Sequence, residues 1–322
     1  MASKTAALEI TGISVIRRFC RAGRQLALTA LLATIAGGAL ASQASATVTI
    51  GSNLGGIPDN GGGPTIEAFP TKNDPGCNAG AACTATNLAL PAAHQSGGGL
   101  TSPVNGTVTS WVARANTGNG ISLQVLRQVS GITYSGVATS APQSWPAEVS
   151  PAFPTSLPIQ RGDTIGVLNP NQNLVFAETP GATSAAWYLA PGGPLADGTT
   201  RVADAIGSTR EVLVRAIVEP TNTVTLGALT VSRKKGTATQ TVSIPNPGQL
   251  SYSGTGVNVT GPASVGAPGD IEVTVRATGK KRKKLNRKGK VSVSFGTTFT
   301  PNFGAAGITP TNLTLRKKLK KK

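Results

Sequence analysis

Strict alternation of apolar and polar side chains runs through Ile271-Glu272-Val273-Thr274-Val275 and again through Val291-Ser292-Val293-Ser294-Phe295. A period of two is the pattern of a β-strand that buries one face. Residues 238–244 alternate in the same way, and residues 226–231, 250–252, 257–259 and 313–315 are shorter candidate strands. About seven strands in the segment 221–322 predict an immunoglobulin-like β-sandwich, although this segment contains no Cys and no Trp.

The preceding part of the chain gives the same signal. Its candidate strands are residues 108–113, 121–125, 164–168, 174–177, 185–189 and 212–218. Clusters of Gly, Pro and Asn separate these stretches, and no ten-residue helical pattern interrupts them. The pattern predicts an all-β fold, with a jelly-roll-like antiparallel β-sandwich over residues 47–220. Residues 51–63 consist largely of turn-forming residues and predict an irregular arm.

Composition excludes several classes of protein. Of 322 residues, 13% are charged, whereas globular chains average about 25%. An all-α or coiled-coil protein is excluded, because the long charged helical stretches of those classes are missing. The chain has one His, three Cys and 13 acidic residues, and it has no Gly-x-Ser-x-Gly motif. We therefore expect a protein that is not an enzyme.

The N-terminus carries an export pattern. Four arginines between residues 17 and 24 precede the apolar run 26–40, and Ala44-Ser45-Ala46 offers a small-x-small cleavage site. This arrangement predicts a secretory signal peptide over residues 1–46. The apolar run is shorter than the roughly 20 residues of a membrane-spanning helix. We expect a secreted or cell-surface protein with no transmembrane segment after cleavage.

Two cysteines remain after that cleavage, Cys77 and Cys83. An even pair in an exported chain predicts one disulfide. The spacing of the pair matches no zinc-site template, so we predict no metal site of that kind and no cofactor. Residues 59–60 and 73–74 offer oxygen ligands without a calcium motif, which leaves a bound Ca²⁺ as an open alternative.

Charge divides the predicted mature chain at Pro220. Residues 47–220 hold 7 basic and 10 acidic residues, whereas residues 221–322 hold 18 basic and 2 acidic ones. The segment around Pro220 lacks apolar residues, and Pro discourages continued strand pairing. We predict a domain boundary there, with a Lys-rich tail at the end of the second module.

Basic residues of the second module form three clusters. They are Arg233, Lys234 and Lys235; Lys280, Lys281, Arg282, Lys283, Lys284, Arg287, Lys288 and Lys290; and Arg316, Lys317, Lys318, Lys320, Lys321 and Lys322. The central cluster lies between two alternating strands, so we expect a long hairpin loop. Such charge predicts binding of anionic cell-wall polymers or acidic glycans. The alternative is that these side chains only keep turns soluble and protect strand edges. Because no aromatic residues are interleaved, we predict no specific nucleic-acid binding.

Tryptophans of the first module offer a second hypothesis. Exposed aromatic rings stack on sugars, and Trp145 lies in a predicted loop, whereas Trp111 and Trp187 lie on candidate strands. Anchoring in the core or a loop is the default interpretation for all three residues, because buried aromatic area dominates small β-cores. The tripeptide Arg161-Gly162-Asp163 matches an integrin-recognition motif, but turn chemistry before the strand 164–168 explains it.

The layout as a whole is similar to a group of exported proteins. It comprises the export signal, a module with Trp111 and the stretch 161–166, a basic module with Pro268-Gly269-Asp270 before a strand, and a Lys tail. This layout resembles exported two-module β-sandwich proteins of high-GC Gram-positive bacteria. The resemblance implies no particular site residue.

These observations lead to one preferred hypothesis. We expect a non-enzymatic cell-surface protein that attaches to anionic cell-envelope polymers through its basic C-terminal module. The alternative is a carbohydrate-binding protein that uses exposed aromatics of its first module. The patterns do not indicate an oligomeric state.

Overall fold

The computed structural model describes residues 47–58, 82–115, 118–170, 175–188 and 192–319. The predicted signal peptide, Cys77 and the candidate Ca²⁺ loops lie outside the described residues. Residues 43–322 belong to one compact unit. Its secondary structure is almost entirely antiparallel β, as the alternating patterns predict.

Twelve strands build the described part of the first module. They are β1 (Val48–Gly51), β2 (Cys83–Ala89), β3 (Gly106–Ala113), β4 (Gly118–Ser130), β5 (Thr133–Thr139), β6 (Gln143–Trp145), β7 (Phe153–Ile159), β8 (Thr164–Asn169), β9 (Phe176–Trp187), β10 (Thr200–Val202), β11 (Ala205–Val212) and β12 (Val214–Pro220). A short 3₁₀ turn spans Ala92–His94. One sheet has the order β1-β12-β3-β7; the other has the order β10-β5-β4-β8-β2-β9-β11, with β6 paired to β4. Buried side chains of both sheets, such as Trp111 and Leu123, form one core, which makes this module a sandwich.

Three predicted boundaries in this module are wrong. Residues 174–177 and 185–189 were expected as two strands, but β9 is continuous from Phe176 to Trp187. Gly181 lets the chain pass Pro180 without leaving the strand, because it adopts φ +83°, a conformation that suits glycine. The predicted strand 212–218 is divided between β11 and β12. Gly51, the first residue of the predicted arm, belongs to β1, which pairs with β12.

The second module contains eight strands and one helix. They are β13 (Thr225–Ser232), β14 (Thr237–Ile244), β15 (Gly248–Ser253), β16 (Val257–Thr260), β17 (Ser264–Val265), β18 (Gly269–Ala277), α1 (Gly279–Lys288), β19 (Lys290–Pro301) and β20 (Gly307–Arg316). The sheets are β13-β14-β18-β16 and β17-β15-β19-β20. Leaving out the two-residue β17, we count the remaining seven strands in chain order. One sheet then contains the first, second, fifth and fourth strands side by side, and the other contains the third, sixth and seventh. Constant-type immunoglobulin domains have this order, and the immunoglobulin-like assignment is our interpretation of it.

The predicted long hairpin loop at residues 280–290 is wrong. These residues form α1, and the strands on either side of it belong to different sheets. The segment is therefore a helical crossing from one sheet of the sandwich to the other. Lys and Arg are good helix formers, so a run of them needs no apolar periodicity to become helical once it is docked.

Two asparagines join the modules. Asn246 is fully buried, and its Oδ1 accepts a hydrogen bond from the Asn105 backbone N–H at 2.7 Å. Its Nδ2 donates to the carbonyl oxygens of Asn105 at 2.8 Å and Thr221 at 2.9 Å. Asn105 in turn donates from Nδ2 to the carbonyl oxygen of Pro245 at 2.6 Å. We call this set of contacts the asparagine clamp. Among the described residues, no sheet takes strands from both sides of Pro220.

Candidate polyanion-binding site

The described residues of the three basic clusters meet at one end of the second module. Strands β13, β18 and β20 run toward this end, and β14 and β19 start from it. The turn 233–236 and the segment after β20 touch here, because the Lys318 backbone N–H donates to the Arg233 carbonyl oxygen at 2.8 Å. The Lys317 backbone N–H donates to the Gly289 carbonyl oxygen at 2.7 Å, which ties the end of α1 to the same segment. We call this surface the basic end.

Helix α1 forms although its lysine and arginine side chains repel one another. Leu285 is its one buried residue, 3% exposed, and it packs into the core between the two sheets. Gly289 ends the helix in the left-handed region at φ 69°, and its backbone N–H donates to the Leu285 carbonyl oxygen. Arg287 and Lys288 lie in the last turn, where the helix dipole favours cations. Leu285 and this cap therefore hold a cationic helix against the sandwich.

Acidic side chains are absent from the basic end as far as the structure describes it. The module's two acids, Asp270 and Glu272, lie on β18 toward its opposite end. All four ion pairs found among the described residues belong to the first module. The described cations of the second module therefore have no carboxylate partner, and their potential is directed into solvent.

Two pockets indent this surface. The first, with a volume of about 590 Å³, lies between the turn 233–236, the end of β18 and α1. Its cationic lining residues are Lys235, Arg276, Arg282 and Lys317. Asn258, Thr278 and Asn286 add neutral polar groups, and the Lys317 Nζ donates to Asn286 Oδ1 at 2.7 Å. We call it the helix pocket.

The second pocket lies beside the first and has a volume of about 630 Å³. Its cationic lining residues are Arg233, Lys288, Lys290, Arg316, Lys317 and Lys318. Lys290 and Arg316 are directly opposite each other in the β19–β20 ladder. Like charges in directly opposed positions destabilise a sheet unless an anion lies near them. We call it the strand pocket; Lys317 lines both pockets.

Most of the predicted basic residues therefore reach one surface. The described members, from Arg233 through Lys318, lie on the turn, on α1 or beside its ends, and nearly all are exposed. Lys320, Lys321 and Lys322 lie outside the described residues. Sequence reasoning missed Arg276, because it is a single cation on a strand. Its place at the end of β18, just before the central cluster, is the signal that identifies it.

All three tryptophans are buried, which is the default interpretation of their sequence context. Trp145 is 4% exposed, Trp111 1% and Trp187 0%. Trp145 packs edge-on against Trp111, with ring centroids 6.3 Å apart, and also contacts Phe153 at 5.6 Å. A ring enclosed by other rings offers no face to a sugar. The carbohydrate-binding alternative thereby loses the three residues on which it depended.

The Arg161-Gly162-Asp163 tripeptide is part of a turn, as predicted. Asp163 is 1% exposed and accepts hydrogen bonds from Arg127 Nε at 2.7 Å and Nη2 at 2.9 Å. It also accepts from the Gln160 backbone N–H at 2.8 Å. The hydrogen bond to Asp163 raises the pKa of the Arg127 guanidinium above its ordinary value, against the opposing effect of burial. A buried carboxylate with these partners is not available to a receptor.

His94 belongs to a hydrogen-bonded cluster around a buried carboxylate. Its Nδ1 is 2.9 Å from Oε2 of the fully buried Glu211, which also accepts hydrogen bonds from Ser52 and Thr179. In a catalytic triad the nucleophile bonds to the histidine, and the carboxylate lies behind the ring. Here Ser52 donates to the carboxylate instead. This cluster fastens the chain after β1 and the 3₁₀ turn to β9 and β11.

No group of metal-binding side chains occurs within the described residues. Cys83 is fully buried at the start of β2, and because Cys77 lies outside the described residues the disulfide stays a prediction. In the part of the chain that the structure covers, no helix is both long and apolar enough to cross a membrane. No protein-family model matches the chain, and no curated protein matches it.

Proposed function

We propose that this chain is an exported, non-enzymatic protein that attaches to anionic cell-envelope polymers through its basic end. The single observation that supports this proposal most directly is the gathering of cations without carboxylate partners at one end of the second module. A surface that only needed solubility would mix both signs of charge. Attraction between many cations and a polyanion is multivalent and is screened by salt.

The position of the clamp supports the same proposal. Strand β14 begins at the basic end and finishes at Ile244, directly before the clamp residues Pro245 and Asn246. Its eight residues span about 26 Å at about 3.3 Å each. The described part of the first module therefore lies away from the basic end and from any polymer that is bound there.

Co-sedimentation of the mature chain with purified cell-wall material tests this proposal. We expect binding at about 0.1 M salt and release at about 1 M, where the Debye length falls from about 10 Å to about 3 Å. Neutralising three exposed lysines of α1 in the K280Q/K283Q/K284Q variant should weaken binding. The matched K280R/K283R/K284R variant keeps the charge and should bind like the unmodified chain. Binding that survives high salt, or that the Gln variant retains in full, would overturn the proposal.

A further inference from the structure

We infer that the helix pocket and the strand pocket are neighbouring subsites for successive phosphate groups of a phosphodiester-linked polymer. This inference rests on the proposed function and names the ligand class of the same surface. Diffuse attraction needs only net charge, whereas these pockets arrange cations around two open depressions of the surface. The question is therefore which anionic group fits them.

Donors reach the helix pocket from several directions. Lys235 comes from the turn 233–236, Arg276 from β18, Arg282 from α1 and Lys317 from the segment after β20. A phosphodiester group offers two charged oxygens and two ester oxygens in tetrahedral directions, whereas a carboxylate offers its two oxygens in one plane. Arg guanidinium groups bind phosphate and carboxylate alike through two parallel hydrogen bonds, so the preference depends on the directions from which the donors come. Donors converging from four segments of the chain therefore favour phosphate over carboxylate.

The strand pocket adds a second, independent reason. Lys290 and Arg316 are cross-strand partners of like charge, and Arg233, Lys288 and Lys318 line the same volume. None of these cations has a carboxylate partner among the described residues. An anion bound between the two strand residues would remove a repulsion that is otherwise built into the ladder.

Lys317 connects the two pockets. It lines both, its backbone N–H is fixed to Gly289, and its Nζ is fixed to Asn286. Two subsites with a common wall suit a ligand that carries charge at regular intervals along a chain. A phosphodiester polymer has this property and keeps one negative charge on each linkage at neutral pH. Occupying both subsites together raises the affinity through effective concentration.

Two arginines of α1 provide a matched test. Both are exposed, but Arg282 lines the helix pocket and Arg287 lines neither pocket. R282Q and R287Q remove the same charge from the same helix. We expect R282Q to weaken binding of a synthetic glycerol-phosphate oligomer about tenfold, as loss of hydrogen bonds to a charged group does. R287Q should weaken it no more than about threefold, as for an exposed charge.

Further measurements separate the outcomes. R316Q tests the strand pocket and should resemble R282Q, and a polyglutamate oligomer of equal charge should bind more weakly than the phosphate oligomer. Equal losses in R282Q, R287Q and R316Q would overturn the subsites while leaving charge-based attachment intact. Equal affinity for polyglutamate would overturn the assignment to phosphate. Binding that is unaffected by all three variants and by salt would overturn the proposed function itself. Melting temperatures of the variants check that each one is folded.

Discussion

Replacing Leu285 with Ala should detach α1 from the sandwich. The side chain is 3% exposed and belongs to the buried cluster between the two sheets. Losing its three outer carbon atoms costs about 2.4 kcal/mol at about 0.8 kcal/mol per buried group. The cavity left behind increases this cost, so we expect a loss of about 2–4 kcal/mol. Repulsion between Lys280 and Lys284, one helical turn apart, leaves α1 little stability of its own.

Hydrogen exchange measured by mass spectrometry tests this prediction, because peptides from β18, α1 and β19 report on the second module directly. The amides of α1 should exchange faster in L285A than in the unmodified chain. All three tryptophans lie in the first module, so their fluorescence should not change. Leu319 is a matched control at the same end of the module, since it is 45% exposed. L319A should cost at most about 0.5 kcal/mol. If L285A cost no more than L319A and the α1 amides stayed protected, our account of how this helix is held would be wrong.

Three further predictions concern the clamp, the first module and the charge. N246A should destabilise the chain by about 1–3 kcal/mol, because it removes the Asn246 partner of two part-buried backbone groups, the Asn105 N–H and the Thr221 carbonyl oxygen. Small-angle scattering should also show a broader range of shapes, and an unchanged scattering profile would contradict the clamp. D163A should cost about 1–3 kcal/mol, followed by Trp fluorescence in urea, because it removes the hydrogen bonds that the buried carboxylate accepts from the half-exposed Arg127 side chain and from the Gln160 backbone N–H. R161A, at an exposed site of the same turn, should cost no more than about 0.5 kcal/mol, and equal costs would contradict the structural role of Asp163. Raising salt from about 0.1 M to about 1 M should raise the melting temperature of the second module by screening its repulsion. An equal rise in K280Q/K283Q/K284Q would show that repulsion at α1 is not the cause.

Local patterns predicted the strands well where one face is buried and the other is not. Residues 271–275 and 291–295 alternate because β18 and β19 each turn one face to the core between the sheets. Residues 211–214 are buried on both faces and gave no such alternation, so the division between β11 and β12 at Leu213 escaped prediction. Without a polar face, the sequence does not show where one strand ends and the next begins.

The error at α1 and the loop-like sequence context of the buried Trp145 have different physical causes. In α1 one apolar residue among ten is too few for a helical period, and only Gly289 and the cations of the last turn indicated where a helix would end. Trp145 follows a serine and precedes a proline, which is a loop context. Its burial depends on Trp111 and Phe153, which reach it only through tertiary packing. Likewise, clusters some 80 residues apart form one surface because several strands start or end at that surface.

Separation of charge along the molecule makes it an electric dipole. The second module carries a net +16 and gathers its cations at the end remote from the clamp, whereas residues 47–220 carry a net −3. In the field of a polyanionic surface, such a molecule experiences a torque as well as an attraction. It should rotate before contact, so that most encounters begin with the basic end leading. Capture should then be fast and uniformly oriented, and it should leave the first module facing outward.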